Sequence, residues 1–292
     1  MILPHRENIP DLPNRLGIDG IEFVEYATTR PQALGQVLER MGFCPVARHR
    51  SREVTLYRQG PMNLVVNAHP EDARVSATVD GQPVISAVAL RVRDALQAHQ
   101  RCIEMGAWPV ATHAQAMELH IPAIHGPGAS RFYFVDRWQE FSIFDIDFTP
   151  IPTVEQHPPA LAGMGYFGVV QYIGCDRAPD WIAYFEQMFD FQLLPDDERF
   201  GILPKGCLMR SPCGGFLWQL VEPNPALEPP LDAPECLQRL GLGTPDVGTA
   251  VAALRARGVE FVESSQLHPE DRGALTRSTL GSVAFELVHR DA

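Results

Sequence analysis

The sequence predicts an α+β fold of two domains, each a curved eight-stranded cup built from two β-α-β-β-β modules with helices outside. Three observations carry this prediction. A strand, helix and strands pattern recurs four times, a proline-rich segment at residues 149–163 separates the recurrences into two pairs, and hydrophobic residues make up 45% of the 292-residue chain. That composition is typical of globular domains, and the length suits about two of them.

The first two modules precede the proline-rich segment. The first has the alternating strand GIDGIEFVEYA at 17–27 and a helix in PQALGQVLERMGF, where Pro31 suits a first helical turn and Gly42 a helix end. Its remaining strands are predicted in VARHRS, EVTLYRQG and MNLVVNA. The second module runs from the strand VISAVALRV through the helix RDALQAHQRCIEMGA to strands in RFYFVDRW and FSIFDIDF.

The other two modules follow the proline-rich segment. The third has a strand in GMGYFGVVQYIG, a helix in APDWIAYFEQMFDF and strands in CLMRSP and GFLWQLVE, joined by a turn at Gly214 and Gly215. The fourth has CLQRLGLG, PDVGTAVAALRARGVEF and the final strand GSVAFELVH. Because one module leaves a sheet face uncovered, two must pair edge to edge. We therefore predict domains at 1–150 and 164–292, joined by a linker at 151–163.

Charge and composition limit the classes of partner. The formal net charge is −12 and the pI about 5.3, without a Lys/Arg-rich run, which argues against nucleic acid and anionic membranes as partners. No stretch reaches the roughly 18 apolar residues of a membrane span, and the first residues lack a signal-peptide pattern. The six cysteines form no C-x-x-C pair. We expect a cytoplasmic protein with reduced thiols and a small-molecule ligand, and the sequence leaves open whether it forms a homo-oligomer.

Several segments together resemble one family. In the first half they are GIEFVEYA, MGFCPVARHRSREVTLYRQGPMNLVVNAHP, LHIPAIHGPG, FYFVDRW and SIFDIDF, and in the second half WIAYFEQMFDFQ, ECLQRLGLGTPDVGTAVAALRARGVEF and AFELVHR. They resemble 4-hydroxyphenylpyruvate dioxygenase, of the vicinal-oxygen-chelate superfamily. The resemblance implies a non-catalytic first half, and a second half in which two histidines and one glutamate hold Fe(II).

Two of the implied iron ligands are not histidines here. The resemblance places Glu286 at the family's glutamate and Arg239 at one histidine. The other histidine position falls on Gly168 or on Tyr166, depending on where the alignment is anchored. Because these two positions differ by two residues on a strand, we expect both to point to the same face.

The remaining histidines are poor substitutes. His289 lies three residues after Glu286 and is expected on the opposite face of the strand, and His268 lies in a predicted loop. His120 and His125 belong to the first half, where the inward positions corresponding to the iron ligands are Glu22, Ala87 and Asp145, again without histidine. The sequence therefore predicts no His/His/Glu site.

An unpaired carboxylate inside a cup costs several kcal/mol, so Glu286 needs a partner. Strand alternation puts Ala284, Glu286 and Val288 on the cup face. On the neighbouring strand it puts three residues on one common face, namely Leu237, Arg239 and Gly241. We expect Arg239 to face inward and to pair bidentately with Glu286.

These residues support several hypotheses. The first is a divergent, metal-free relative in which Arg239 binds a small organic acid such as an aryl keto acid; the candidate lining residues are Tyr166, Gln171, Trp218, Gln219 and Arg210. A non-binding version has the pair simply filling a dead site. The alternative is an active iron dioxygenase, the oxidoreductase that the resemblance implies, in which Glu286 is a metal ligand and Fe(II) the cofactor. A third hypothesis keeps Glu286 and Arg239 as catalytic residues without metal, with Glu286 as general base.

Overall fold

A computed structural model describes residues 13–70, 72–76, 79–111, 119–139, 141–195, 206–224, 234–262 and 273–290. Over these ranges the chain forms two mixed β-sheets, one of eight strands and one of seven. The first sheet ends at Pro150 and the second begins at Gly165. The proline-rich segment therefore lies between the two sheets.

The first sheet and its helices come from the first two modules. In chain order the elements are β1 (Gly20–Ala27), α1 (Pro31–Arg40), β2 (Cys44–His49), β3 (Val54–Gln59), β4 (Met62–Asn67), α2 (Ala73–Ser76), β5 (Val84–Arg91), α3 (Ala95–Glu104), β6 (Ala123–His125), β7 (Arg131–Val135), α4 (Ile143–Asp147) and β8 (Phe148–Pro150). Their order in the sheet is β6-β7-β5-β1-β4-β3-β2-β8.

The second sheet comes from the other two modules. Its elements are β9 (Gly165–Tyr172), α5 (Ala178–Phe189), β10 (Gln192–Leu193), β11 (Cys207–Arg210), β12 (Leu217–Val221), β13 (Cys236–Thr244), α6 (Val247–Ala256), β14 (Gly273–Leu275) and β15 (Phe285–His289). Their order is β10-β11-β12-β9-β13-β15-β14. None of the helices in the described ranges is both long and apolar enough to cross a membrane.

The two sheets share one plan. In each, the first strands of the two modules pair antiparallel, β1 with β5 and β9 with β13. Each first strand also pairs in parallel with the last strand of its own module, β1 with β4 and β9 with β12. The modules are thus joined edge to edge, as predicted from the sequence.

The segment FSIFDIDF, predicted as a strand, begins as a helix instead. Ser142 and Asp145 form a reciprocal cap at the start of α4: the Ser142 hydroxyl accepts from the Phe144 amide at 3.0 Å, and the Asp145 carboxylate accepts from the Ser142 amide at 2.8 Å. These bonds satisfy amides that a helix start leaves unpaired, which favours the helix despite the alternating apolar pattern. Strand β8 follows directly and pairs with β2 at the sheet edge.

An apolar core connects the two sheets. Phe132 of β7 lies 5.0 Å from Phe189 of α5 and 5.5 Å from Trp218 of β12, measured between ring centroids. Tyr166 of β9 donates its hydroxyl to the Asn63 carbonyl in β4. One face of the second sheet is therefore packed against α5 and the first sheet, and only the other face remains for a site.

Candidate active site

The candidate site lies on the second face of the seven-stranded sheet, which we call the C-terminal cup. Its buried apolar residues are Val170, Leu194, Leu208 and Val288, a cluster separate from the core that connects the sheets. Successive side chains of a strand alternate between faces, so Gln219, paired with Val170, and Glu286, two residues before Val288, also face the cup.

A buried ion pair lies in this cup. The Nε of Arg239 donates to Oε2 of Glu286 at 2.9 Å. Arg239 is 2% exposed and Glu286 is fully buried. Glu286 of β15 is paired in register with Gly241 of β13, two residues beyond Arg239, so neighbouring parallel strands bring the two charges together.

A register shift in β13 turns Arg239 toward the cup. The pairing with β9 is irregular between Leu237 and Arg239, where Leu237 is opposite Gln171 and Arg239 is opposite Val170. Leu237 belongs to the core that connects the sheets, so it does not share a face with Arg239 as the sequence predicted. An extra residue in one strand reverses the facing of the residues on one side of it.

The ion pair is made through one hydrogen bond rather than the predicted bidentate contact. The Nη1 of Arg239 donates to Gln238 Oε1 at 3.0 Å and lies 3.5 Å from the Tyr172 hydroxyl. The buried Nη2 has no hydrogen-bond partner in the described part of the chain. Because an unsatisfied buried donor costs about 1–3 kcal/mol, this nitrogen is suited to an acceptor from outside the protein.

Iron does not fit the residues at the implied ligand positions. Gly168, paired with Gly241, has no side chain, and Arg239 is a permanently protonated donor without a lone pair to offer a metal. The other candidate position, Tyr166, faces away. The described residues contain no group of three His, Cys, Asp or Glu side chains that could hold a metal ion. Glu286 is the one remaining ligand of the implied triad.

A second irregularity explains why Tyr166 faces away. The pairing of β9 with β13 shifts between Gly168, opposite Gly241, and Tyr166, opposite Leu242. Phe167 packs on the cup cluster, while Tyr166 lies in the core that connects the sheets. The two positions that the sequence placed on the same face therefore lie on opposite faces.

The predicted lining residues divide between the two faces. Gln219 and Arg210 are on the cup face, Arg210 by alternation with Leu208. Tyr166, Gln171 and Trp218 are not: the Trp218 indole Nε1 donates to Gln171 Oε1 at 2.8 Å on the side that packs against α5. The prediction that these three residues line the site is therefore wrong, and they belong to the core.

Replacement of Gln171 by leucine is expected to lower the free energy of unfolding by about 1 kcal/mol. The change leaves the buried Trp218 N–H without its acceptor, although it also removes Gln171 Nε2, which has no partner in the described structure. Urea unfolding would measure the loss, and Gln187→Leu on the exposed side of α5 serves as control. A Gln171→Leu protein of unchanged stability would contradict this structural role.

Three residues of the site were not found from the sequence. Tyr172 and Gln238 contact Arg239, and Arg290 follows β15 with its Nη1 donating to the Tyr166 carbonyl at 2.8 Å. The signal for Tyr172 was available, since it is two residues beyond Val170 on the cup face of β9. Gln238 lies at the irregularity in β13, which the sequence does not reveal.

The histidines considered as substitutes lie away from the pair. His289 is exposed at the end of β15, on the face opposite Glu286, while His120 and His125 are exposed in the first half of the chain. His268 lies outside the described residues.

The corresponding positions of the first sheet have structural partners. Glu22 accepts from Arg91 Nε at 2.6 Å, and Asp145 caps α4. Ala87 is buried and pairs with Glu25, whose carboxylate contacts Arg74 at 2.7 Å. Glu22 and Ala87 are thus buried in the fold, whereas Asp145, predicted at an inward strand position, is exposed on α4 because its segment begins as a helix.

Asp72 is expected to make stability depend on pH in acid. Burial raises the pKa of Asp72, but hydrogen bonds and attraction from Arg74 outweigh it and lower the pKa from 3.8 to about 2. A carboxyl group whose pKa is lower in the folded state than in the unfolded state stabilises the fold at pH values above the unfolded-state pKa. This stabilisation is lost as the pH falls through the folded-state pKa. Relative to Asp72→Asn, the parent should therefore lose about 2 kcal/mol between pH 5 and pH 2 in urea unfolding. A constant difference across that range would contradict the prediction.

Comparisons with known proteins agree with this architecture. Residues 12–149 match the family model described as hydroxyphenylpyruvate dioxygenase, N-terminal. The chain is similar, at 24% identity and a TM-score of 0.76, to a solved structure described as a xylose isomerase-like TIM barrel/4-hydroxyphenylpyruvate dioxygenase fusion protein, covering 99% of this chain and 52% of that one. The fold is the vicinal-oxygen-chelate fold.

Three curated relatives extend the similarity. The chain is 37% identical to 4-hydroxyphenylpyruvate dioxygenase of Pseudomonas sp. (strain P.J. 874), over 61% of this chain and 50% of that protein. It is 33% identical to hemolysin VllY of Vibrio vulnificus, over 96% and 91%. It is 30% identical to 4-hydroxyphenylpyruvate dioxygenase of Pseudomonas aeruginosa, over 88% and 75%. The alignment to the first of these thus spans half of that relative's length, and those to the other two span most of theirs. The chain belongs to the 4-hydroxyphenylpyruvate dioxygenase-like family of vicinal-oxygen-chelate proteins.

Proposed function

We propose that the C-terminal cup binds a small organic acid, of the aryl keto acid class, without a metal ion. The observation that carries the proposal is the Arg239 guanidinium, which is 2% exposed and has an Nη2 without a hydrogen-bond partner among the described residues. A ligand carboxylate supplies the missing acceptor. Bonds between a guanidinium and a carboxylate are among the stronger hydrogen bonds in proteins.

Glu286 orients this guanidinium. Its bond to Nε holds the plane of the group, while Nη1 points toward Gln238 and Tyr172. If both carboxylate oxygens of Glu286 accepted hydrogen bonds from the Arg239 guanidinium, the two groups would satisfy each other. Such a pair would fit the hypothesis of a filled site that binds no ligand. The single contact favours a binding role.

The walls around the pair suit an apolar group on the acid. Val170 and Leu208 are buried on the cup face, Leu217 is partly buried beside them, and Gln219 adds one polar side chain. Between Glu286 and these walls, Gly241 and Gly168 lie in one cross-strand row and contribute backbone only. Apolar walls with a few convergent polar groups are typical of small-molecule sites.

Calorimetric titration with phenylpyruvate and 4-hydroxyphenylpyruvate in the presence of EDTA tests the proposal. We expect binding by the parent protein and a loss of about tenfold or more in Arg239→Met/Glu286→Leu, which removes both charges together and so leaves neither buried alone. Gln171→Leu should keep the parent affinity, because its side chain faces the core. Undiminished binding by the double variant, or binding that requires added Fe(II), would overturn the proposal.

The second candidate is the iron-dependent dioxygenase, favoured by the position of Glu286 on the cup face. It predicts oxygen consumption with 4-hydroxyphenylpyruvate that depends on Fe(II) and disappears in Glu286→Ala.

Catalysis without metal, with Glu286 as general base, would instead yield product in the presence of chelator. A cytoplasmic location stays a prediction.

A further inference from the structure

A second cation, Arg210, lies on the cup face. Arg210 ends β11, where it pairs with Leu217 of β12 and alternates with the buried Leu208. Its side chain forms no hydrogen bond or ion pair with any residue of the described ranges, although it is partly buried. Its guanidinium is thus the second one in this cup with unused donors.

Arg210 and Arg239 lie on different walls of the cup. In the sheet order, β12 and β9 separate β11 from β13, which places the two backbones about 14 Å apart, or three strand spacings. The long side chains of both arginines project from these strands onto the same face.

The wall between the two arginines is mainly apolar. Val170 of β9 and Leu217 of β12 lie between them, and Gln219 and the Tyr172 hydroxyl are polar groups on the cup face of these two strands. Gly168 in the same stretch has no side chain to fill the space. The chemistry of this wall suits an apolar ligand group with an anion at each end, one for each guanidinium.

The charges of the cup point the same way. On the described strands, Arg210, Arg239 and Glu286 lie on the cup face, and Arg290 follows β15 on the same face with a backbone carbonyl as its partner. Among the described residues of this cup, three arginines therefore accompany one carboxylate, within a chain of net charge −12. A local excess of this size favours a ligand with two negative charges over one with a single charge.

We infer that the ligand of the C-terminal cup is an aryl dicarboxylate, held by Arg239 at one carboxylate and by Arg210 at the other. This inference rests on the proposed function and deepens it, because it assigns the far end of the ligand. It assigns to Arg210 the choice between a monoacid and a diacid, and to Arg239 the affinity for both. The two roles separate in a binding experiment.

The experiment compares phenylpyruvate with 4-carboxyphenylpyruvate by calorimetry in EDTA. We expect the diacid to bind the parent about tenfold more tightly or better, as one additional charge-assisted bond provides. Arg210→Met should bind both compounds with the affinity that the parent has for the monoacid. Arg40→Met, which removes an exposed arginine of α1, should behave as the parent.

Each outcome decides one claim. Equal affinity of the parent for the two acids, or a preference for the diacid that survives Arg210→Met, would overturn the dicarboxylate inference and leave the proposed function standing. Binding of neither acid by a folded parent protein would overturn both. The variant Arg239→Met/Glu286→Leu separates them further, since it should weaken both acids while Arg210→Met weakens only the diacid.

Discussion

Replacement of Arg239 by methionine is expected to lower the free energy of unfolding by about 3–5 kcal/mol, a large part of the 5–15 kcal/mol typical of a domain. The reason is the fully buried carboxylate of Glu286, which would lose the cation that now donates to it at 2.9 Å. The apolar packing of a methionine cannot compensate a buried charge. Urea unfolding of parent and variant would measure the loss.

The matched variants turn this into a double-mutant cycle. Glu286→Leu should also destabilise strongly, because it leaves the Arg239 guanidinium buried without its anion, whereas Arg239→Met/Glu286→Leu should lose less than either single change. The exposed pair Arg277 and Glu260, at 3.6 Å, provides a control, since Arg277→Met should cost less than about 1 kcal/mol. If the effects of the two buried changes simply added, Arg239 and Glu286 would not be coupled.

The arrangement of the fold was accessible from the sequence because it depends on patterns that many residues share. The four modules and the pairing of their first strands follow from periodicity. The inward position of Glu286 and an ion pair with Arg239 were also expected from alternation within the short strand β15 and from the cost of an unpaired charge, but the pair has one hydrogen bond instead of the predicted two.

The facing of individual side chains was less accessible. One irregular residue near Gly168 turned Tyr166 to the other face of β9, and another near Gln238 separated Leu237 from Arg239. Such bulges invert every facing beyond them but leave no mark in hydrophobicity. Likewise, the cap between Ser142 and Asp145 changed a predicted strand into α4, because two side-chain bonds outweighed an alternating pattern.

The bulge in β9 also determines which double variant of the protein should bind iron. We expect Arg239→His/Gly168→His, loaded with Fe(II) without oxygen and then desalted, to retain about one iron per chain, because two histidines and one carboxylate on a common face are the set that such iron sites use. Gly168 and Arg239 both face the cup, and the row of Gly168, Gly241 and Glu286 crosses three adjacent strands. The parent protein should retain none, since Glu286 is the one ligand of that set which it keeps.

The decisive control for this prediction is Arg239→His/Tyr166→His. It contains the same number of histidines, but the one at position 166 would point into the core near Asn63 rather than into the cup. Metal analysis should therefore find iron in the first double variant and not in the second, with circular dichroism confirming that both are folded. Iron retained equally by both would mean that the facing of β9 is not as described, and stoichiometric iron in the parent would show that the cup binds metal through other residues. Iron in the Gly168 variant alone would show that the cup keeps the shape of an iron site and that arginine and glycine, at two positions, have replaced the residues that bind the metal.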